Sequence, residues 1–453
     1  MRLCCVAPDR GTASRGRRQQ MDRQQMKWLY TLAMILFDGA VALAGCVVPA
    51  SCRSKTAAFV QGRRRLLATV ARQWHRTEGR RVIWVHAASL GEFAIARPLI
   101  EALGRETACD FVITFFSPSG YEPVKASRRY ANVFYLPLDT PRNARAWLDL
   151  VQPDAALFMV SEYWHNYLGE LRRRAIPTFL VSALIRDDAP FFRRFGVNYR
   201  RDLTAYTRIF TLDEHSVANL RRLGCERAEQ TGDPLFDNAW AIARQPFADA
   251  VVERFKGDDP LFVAGSLGTD ADLELVAALA AAHTETKMLI VPHEIDEASL
   301  RTIEARLGSR TVRWSACTAE SDFAGVQCLI VDAMGRLASL YRYGRWAYVG
   351  GGFTPYLHSV IEAVVYGLPV AFGPEIRRKV TPAQLMERGI GTKVATVEEF
   401  AAWFEALHRD EARLTAVRDA AAAYIAENVG ATRTIVGTIA AWLPPSAATT
   451  EKN

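Results

Sequence analysis

From Arg81 onward, short apolar runs alternate with longer amphipathic stretches. The runs "RVIWVHAA" (81–88), "DFVITFFS" (110–117), "NVFYLPLD" (132–139), "AALFMVSE" (155–162), "PTFLVSAL" (177–184) and "RIFTLD" (208–213) are rich in valine, isoleucine and aromatic residues, which predicts strands. Between them, stretches such as "AIARPLIEALGRE" and "PRNARAWLDLVQ" carry helical periodicity. Strand and helix repeated in this way predict a parallel sheet covered on both faces. A second series, "LFVAGSL", "KMLIVPH", "CLIVDA", "RWAYVGGG" and "LPVAFGP", begins after residues 241–258, where no strong strand signal occurs and a boundary is expected. From Val397 the chain turns alanine-rich and helical. The pattern predicts an α/β chain of two doubly wound domains in tandem. Open parallel sheets bind ligands beyond the carboxyl ends of their strands, so two such domains facing each other would line a cleft with those ends.

The pattern before Arg81 is different. A basic, polar stretch over residues 1–25 precedes "MKWLYTLAMILFDGAVALAGCVVPA" (26–50), an apolar run long enough to span a bilayer. "LAGC", ending at Cys46, resembles a lipoprotein cleavage box and keeps a secretory reading open. Against it, Asp38 interrupts the run, and basic residues crowd both flanks: Arg17, Arg18 and Lys27 before, Arg53, Lys55, Arg63, Arg64 and Arg65 after. Positive charge of this density favours keeping the downstream side in the cytoplasm. An uncleaved membrane-associated helix is the preferred reading. Met26 is a plausible start, which would make residues 1–25 foreign to the native chain.

Composition narrows the class. Half of the 453 residues are apolar and 23% are charged, as in a folded protein of two or three domains. A net charge of +7 suggests acidic partners: phosphates, anionic lipid or nucleic acid. No nucleic-acid-binding motif accompanies it. The 8 cysteines are scattered without a C-x-x-C pair, which reads as reduced thiols rather than a disulfide framework or zinc site.

Candidate chemistry lies just after the strands. Ser89, Gly91 and Glu92 follow the first run, and Ser117, Ser119 and Gly120 follow the second. "SPSG" is either an anion-holding turn or an ordinary helix start. Glu162 follows the fourth run, at the same sheet edge as Glu92. Each acid alone suits the first turn of a helix; two at one edge point to chemistry. In the second half, Gly350, Gly351 and Gly352 would let backbone approach a ligand closely, followed by a helix with Glu362. Neither a Walker loop nor a G-x-G-x-x-G dinucleotide pattern is present there. "VPHE" (His293, Glu294) and "DAMGRL" (Met334, Gly335, Arg336) end two further strands, and no His-x-x-x-His or cysteine cluster suggests a metal.

Six blocks together resemble the 3-deoxy-D-manno-octulosonic acid (Kdo) transferases of lipopolysaccharide core synthesis: "HAASLGE", "TFFSPSGYE", "YLPLDTPRNARAWLDLVQPD", "SEYWHNYLGELRRRAIPTFLVSAL", "LIVPHEID" and "AYVGGGFTPYLHSVIEAVVYGLPVAFGP". They stand in the family's order from about Met26 to about Ala431, most like its Bacteroidetes branch. The resemblance implies a GT-B fold of two facing Rossmann-like domains. It also implies inverting transfer of Kdo from CMP-Kdo to a lipid A precursor (lipid IVA), with no cofactor and no bound metal.

Carried over residue by residue, the resemblance makes Glu92 the general base that deprotonates the lipid A hydroxyl. Glu162 would support the transition state. CMP-Kdo would fall on Pro292, His293 and Glu294, on Met334, Gly335 and Arg336, and on Ser359, Val360, Ile361 and Glu362, with Glu362 on the ribose. Acceptor contacts are expected from Ser89, Gly91, Ser117, Ser119 and Gly120 and from a basic rim of Arg186, Arg193 and Arg194. The implied division is a basic extension 1–25, a membrane-associated helix 26–50, an acceptor domain 51–240, a linker 241–258, a CMP-sugar domain 259–430 and a helix end and tail 431–453. The implied place is the cytoplasmic face of the inner membrane, with no nucleic-acid partner.

The chain departs from the family at three places. Many members have Arg-His where this chain has His293-Glu294, and Asn-Pro-Leu-Glu where it has Ser359-Val360-Ile361-Glu362. The family's Lys or Arg in G-N-x-K-F-D is Leu235 here, and Arg336 is an available substitute. The competing readings are another GT-B transferase using a UDP- or GDP-sugar and a membrane-tethered, non-enzymatic lipid-binding protein.

Overall fold

The computed structural model describes residues 10–49, 51–52, 54–193, 196–377 and 379–443, with side chains from Lys27 onward except those of Val197 and Asn198. The chain divides into two compact units. The first comprises Met1–Pro234 with Gly430–Asn453, the second Leu235–Val429.

The first unit holds seven strands: β1 (Arg81–Ala87), β2 (Cys109–Phe115), β3 (Val133–Tyr135), β4 (Ala155–Met159), β5 (Thr178–Ala183), β6 (Arg208–Thr211) and β7 (Ala228–Gln230). They form one sheet in the order β3-β2-β1-β4-β5-β6-β7, every neighbouring pair parallel. β1, β4 and β5 are buried on both faces because helices cover both sides, which is why their sequences are apolar without alternation. Trp84 anchors one face, with Trp147, Phe158 and Tyr167 at ring-centroid distances of 5.7, 5.1 and 5.4 Å.

The second unit repeats the plan with β8 (Leu261–Leu267), β9 (Lys287–Pro292), β10 (Thr311–Arg313), β11 (Cys328–Ile330), β12 (Gly344–Val349), β13 (Val370–Phe372) and β14 (Gly391–Lys393). The order is β10-β11-β9-β8-β12-β13-β14, again all parallel. Two parallel sheets, each flanked by helices, make this the GT-B plan of two Rossmann-like domains. In each sheet the strand order reverses beside the first strand, between β1 and β4 and between β8 and β12. Those two points are where such sheets bind ligands.

Residues 241–258 contain the end of the helix Pro234–Ala243 and the helix Ala250–Lys256. Val252 and Phe255 of the latter are buried in the second unit's core. The chain then returns: the helix Ala431–Trp442 lies against the helix Leu90–Glu106 of the first unit, with Ile435, Val436 and Ile439 buried.

At the N-terminus a helix runs from Arg10 to Val47, and Lys27–Val47 is long and apolar enough to cross a membrane, with mean hydropathy 1.8. One stripe of it packs on the first unit. Thr31, Val41 and Gly45 are buried, the Tyr30 hydroxyl donates to Asp139 Oδ2 (2.8 Å), and Thr31 Oγ1 donates to Asn166 Oδ1 (3.4 Å). Asp38 lies on this inner stripe, half-buried, where its charge bears on Arg63. The interruption of the apolar run thus faces protein. The opposite stripe, including Trp28, Leu29, Leu32, Leu36, Leu43 and Val47, is exposed.

Candidate active site

Ala87 ends β1, and Ser89 caps the helix Leu90–Glu106 by accepting the Glu92 N–H (3.5 Å). The Glu92 side chain folds back, and its Oε2 accepts the Ala88 N–H at 2.6 Å. A side-chain oxygen at each side of the turn satisfies helix-start donors reciprocally, much as in a capping box. Only one carboxylate oxygen is used for this; among the described residues no donor reaches Oε1. Burial raises the Glu92 carboxyl, and the neighbouring Glu162 carboxylate raises it further, to about 8. The Ala88 N–H opposes the shift. A carboxylate of that basicity, with one oxygen open, suits proton abstraction near neutral pH.

Glu162 arrives from the other side of the strand-order reversal. Val160, just past β4, has φ +63°, a left-handed conformation that is a steric outlier for a β-branched residue. Its N–H still donates to Val181 O (2.7 Å), so the neighbouring strand holds the bend. Strain of this kind is maintained where surrounding structure over-determines it, and it clusters at functional sites. The Tyr206 hydroxyl donates to the Glu162 carbonyl, and Glu162 Oε2 lies 3.5 Å from His86 Nε2.

The "SPSG" turn is a capped helix start. Ser117 Oγ accepts the Ser119 N–H (3.2 Å), and Ser117 O accepts from Gly120 N (3.2 Å), so these N–H groups are already committed. Gly120 is buried, and an added Cβ would stand 2.3 Å from the Phe115 ring and 3.0 Å from the Ser89 carbonyl carbon. It lets this turn pack against the Ser89 turn, a contact sealed by Ser117 N donating to Ala88 O (2.9 Å). Gly91 differs: an added Cβ would meet only Ser89 Oγ, at 3.9 Å. Among the described residues nothing crowds a side chain at that position. Of the basic rim, Arg186 pairs with Asp188 (2.7 Å) and Arg193 is exposed, while Arg194 lies outside the described residues. Phe191, which lies between these arginines in the chain, is buried against Tyr163 and Tyr199.

In the second unit the glycines serve the chain itself. A Cβ on Gly350 would stand 2.3 Å from Ser266 O, one on Gly352 would stand 2.5 Å from Gly373 N, and Gly351 has φ +86°. Close approach of backbone to backbone requires all three. The loop is fastened by Asp272, fully buried, whose Oδ2 accepts from Thr269 N (3.1 Å) and Gly351 N (3.1 Å) and whose Oδ1 accepts from the Tyr348 hydroxyl (2.7 Å). Thr269 and Asp272 form a capping box, which the sequence carries as a T-x-x-D pattern.

Pro292, His293 and Glu294 follow β9, with Pro292 buried and the other two exposed. The His293 ring lies 4.5 Å from that of His358, whose protonation burial and His293 depress to about 4. Ser359 follows directly, its Oγ buried and, among the described residues, without a hydrogen-bond partner. Val360 and Ile361 are core residues, and Glu362, on the short helix Ile361–Val364, bears on the buried Tyr341. Met334 and Gly335 are exposed. Arg336 is ion-paired with the buried Asp249 and stacked 4.4 Å from Trp314. Leu235 packs against the second unit's core. Among the described residues, no group of three or more His, Cys, Asp or Glu is placed to hold a metal ion.

Comparison with known proteins bears on this geometry. The family described as 3-Deoxy-D-manno-octulosonic-acid transferase (kdotransferase) matches residues 62–238. The chain is 27% identical over 391 residues to the 3-deoxy-D-manno-octulosonic acid transferase of Bordetella pertussis, covering 80% of this chain and 87% of that one. It is 28% identical over 320 residues to the enzyme of the same description from Haemophilus influenzae, covering 67% and 74%. Among solved structures, the UDP-GlcNAc 2-epimerase of Neisseria meningitidis matches with TM-score 0.56 at 13% identity, over 79% of this chain and 99% of that one, a likeness of fold. The chain is a GT-B-fold glycosyltransferase related to the 3-deoxy-D-manno-octulosonic acid transferases of several bacteria.

Proposed function

We propose that this protein transfers Kdo from CMP-Kdo to a lipid A precursor, with inversion, at the cytoplasmic surface of the inner membrane. The observation that carries the reading is Glu92: one oxygen braces its turn, the other is open, and burial beside Glu162 keeps it basic. In the reaction, Glu92 Oε1 takes the proton of the acceptor hydroxyl as that oxygen attacks the anomeric carbon of Kdo. The new glycosidic bond forms as the bond to the CMP phosphate breaks, and CMP departs with the electron pair. Glu162 stabilises positive charge developing on the sugar.

The donor is assigned to Pro292–Glu294, Met334–Arg336 and Ser359–Glu362. The Ser359 hydroxyl is one group there with no protein partner. Arg336 would serve the departing phosphate in place of the cation absent at Leu235, with Asp249 anchoring its guanidinium. The acceptor is assigned to Ser89 and Gly91, with Arg186, Arg193 and Arg194 toward its anionic groups. The exposed apolar stripe of the N-terminal helix would seat the protein on the bilayer that supplies the acceptor.

The test is transfer from CMP-Kdo to a tetraacylated lipid A precursor by wild type and Glu92→Gln. The variant should bind CMP as the wild type does and transfer at least about 100-fold more slowly. Undiminished transfer would remove Glu92 from the mechanism. Thermal stabilisation by UDP or GDP but not CMP would instead favour a transferase using another nucleotide sugar.

A further inference from the structure

β1 and β2 carry three polar groups that the proposed reaction leaves without a task, two on β1 and one on β2. His86 is wholly buried in a strand whose other buried residues are hydrophobic, a placement that costs free energy unless both ring nitrogens are matched. Trp84 Nε1 donates to Thr114 Oγ1 on β2 at 2.8 Å, and His86 Nδ1 lies 2.9 Å from the same oxygen. An indole nitrogen only donates, so it occupies a lone pair of the Thr114 oxygen, and the hydroxyl has one proton left to direct. Its alternatives are Val85 O at 3.4 Å and the nearer His86 Nδ1. A threonine proton given to Nδ1 leaves the imidazole's own proton on Nε2. Nε2 faces Glu162 Oε2 at 3.5 Å, longer than a made hydrogen bond, and among the described residues no protein group satisfies it.

We infer that His86 is a positioning residue: Trp84 and Thr114 lock it as the neutral Nε2–H tautomer, and it points that N–H at Glu162 to fix the carboxylate beside Glu92. The inference rests on the proposed roles of the two glutamates. The titratable groups that face this chain are Glu162 and Glu92 on the loops after β4 and β1, with Tyr163 and Tyr206, whose burial puts their ionisation far above the ordinary range. The rings of Phe158 and Trp164 meet His86 at 5.8 and 6.0 Å and shut out water. Removing the Nε2–H donor frees the Glu162 carboxylate to swing away from Glu92. Its charge on Glu92 then weakens, Glu92 gives up its proton at lower pH, and the rate falls because Glu162 is less well held.

The experiment measures Kdo transfer against pH for the full-length protein and for His86→Leu, His86→Gln, Thr114→Val and Thr114→Ser. A long-range proton–nitrogen spectrum of histidine-labelled wild type accompanies it. Thr114→Ser and His86→Gln, which keep the hydroxyl and an N–H donor, should follow the wild-type profile. His86→Leu and Thr114→Val should lose rate and move the acidic limb down by about one pH unit. The spectrum should show His86 neutral and protonated on Nε2. An Nδ1–H tautomer or an imidazolium at neutral pH would overturn the inference. So would folded, CMP-binding His86→Leu or Thr114→Val protein with a reduced rate but an unmoved profile. Full activity of Glu92→Gln would defeat the general-base assignment, and the spectrum would still decide the tautomer separately.

Discussion

In the folded protein Glu92 keeps its proton up to about pH 8, whereas its ordinary value is 4.5. Folding therefore takes up a proton between those values, and stability contributed by this residue is present at low pH and lost as pH rises through about 8. Glu92→Gln removes that dependence while its amide oxygen can still accept from Ala88 N–H. The variant should gain on wild type in melting temperature between pH 5 and pH 9, each 1 kcal/mol being worth about 2–4 °C in a domain of roughly 150–250 residues. A constant difference across that range, followed by calorimetry, would contradict the raised affinity. The glutamate could be singled out in the sequence because it follows an apolar run and a small-residue turn. Its proton affinity could not be read there, since that depends on Glu162, 70 positions away along the chain and brought alongside by the β1–β4 pairing. His86 was missed for a related reason: its partner Thr114 sits on another strand, and a lone buried polar residue in a sequence looks like an isolated cost.

At the scale of elements, buried apolar strands were legible, including the three-residue edge β3, and partly exposed edges were not. β7, β10 and β14, three residues each, were overlooked, and all three lie at sheet edges with partly exposed residues, so no apolar run marks them. The N-terminal helix was legible as apolar and long. Its two-sidedness was not, because the residues against the first unit, such as Val41 and Gly45, are as apolar as those facing outward. Substituting Leu32→Asp and Leu36→Asp on the outward stripe should leave the fold intact and cut cosedimentation with anionic phospholipid vesicles by more than about tenfold. Substituting the inward Val41→Asp should instead lower the melting temperature, since it buries an unpaired charge. Equal vesicle binding by the double variant would show that this stripe does not meet the bilayer.

For the whole molecule, the chain leaves the first unit at Pro234, builds the second, and returns at Gly430. The helix Ala431–Trp442 buries Ile435, Val436 and Ile439, each worth about 1.5–3 kcal/mol relative to exposure. Truncation after Gly430 should therefore destabilise the first unit and leave the second unchanged. A fragment spanning residues 235–429, with its own two-faced core, should fold alone. Two calorimetric transitions, only one of them lowered by the truncation, are the expected record. Local apolar pattern determined by itself that there would be two parallel sheets, because strands buried on both faces must be apolar throughout. Motif order pointed to the chemistry. Only the tertiary structure decided which unit owns the final helix, that the three glycines serve backbone packing, that Asp38 faces protein, and that Glu92 braces its own turn with one oxygen and leaves the other open. Each of these depends on contacts between residues far apart in the chain, and burial and charge proximity are properties of those contacts, not of local composition.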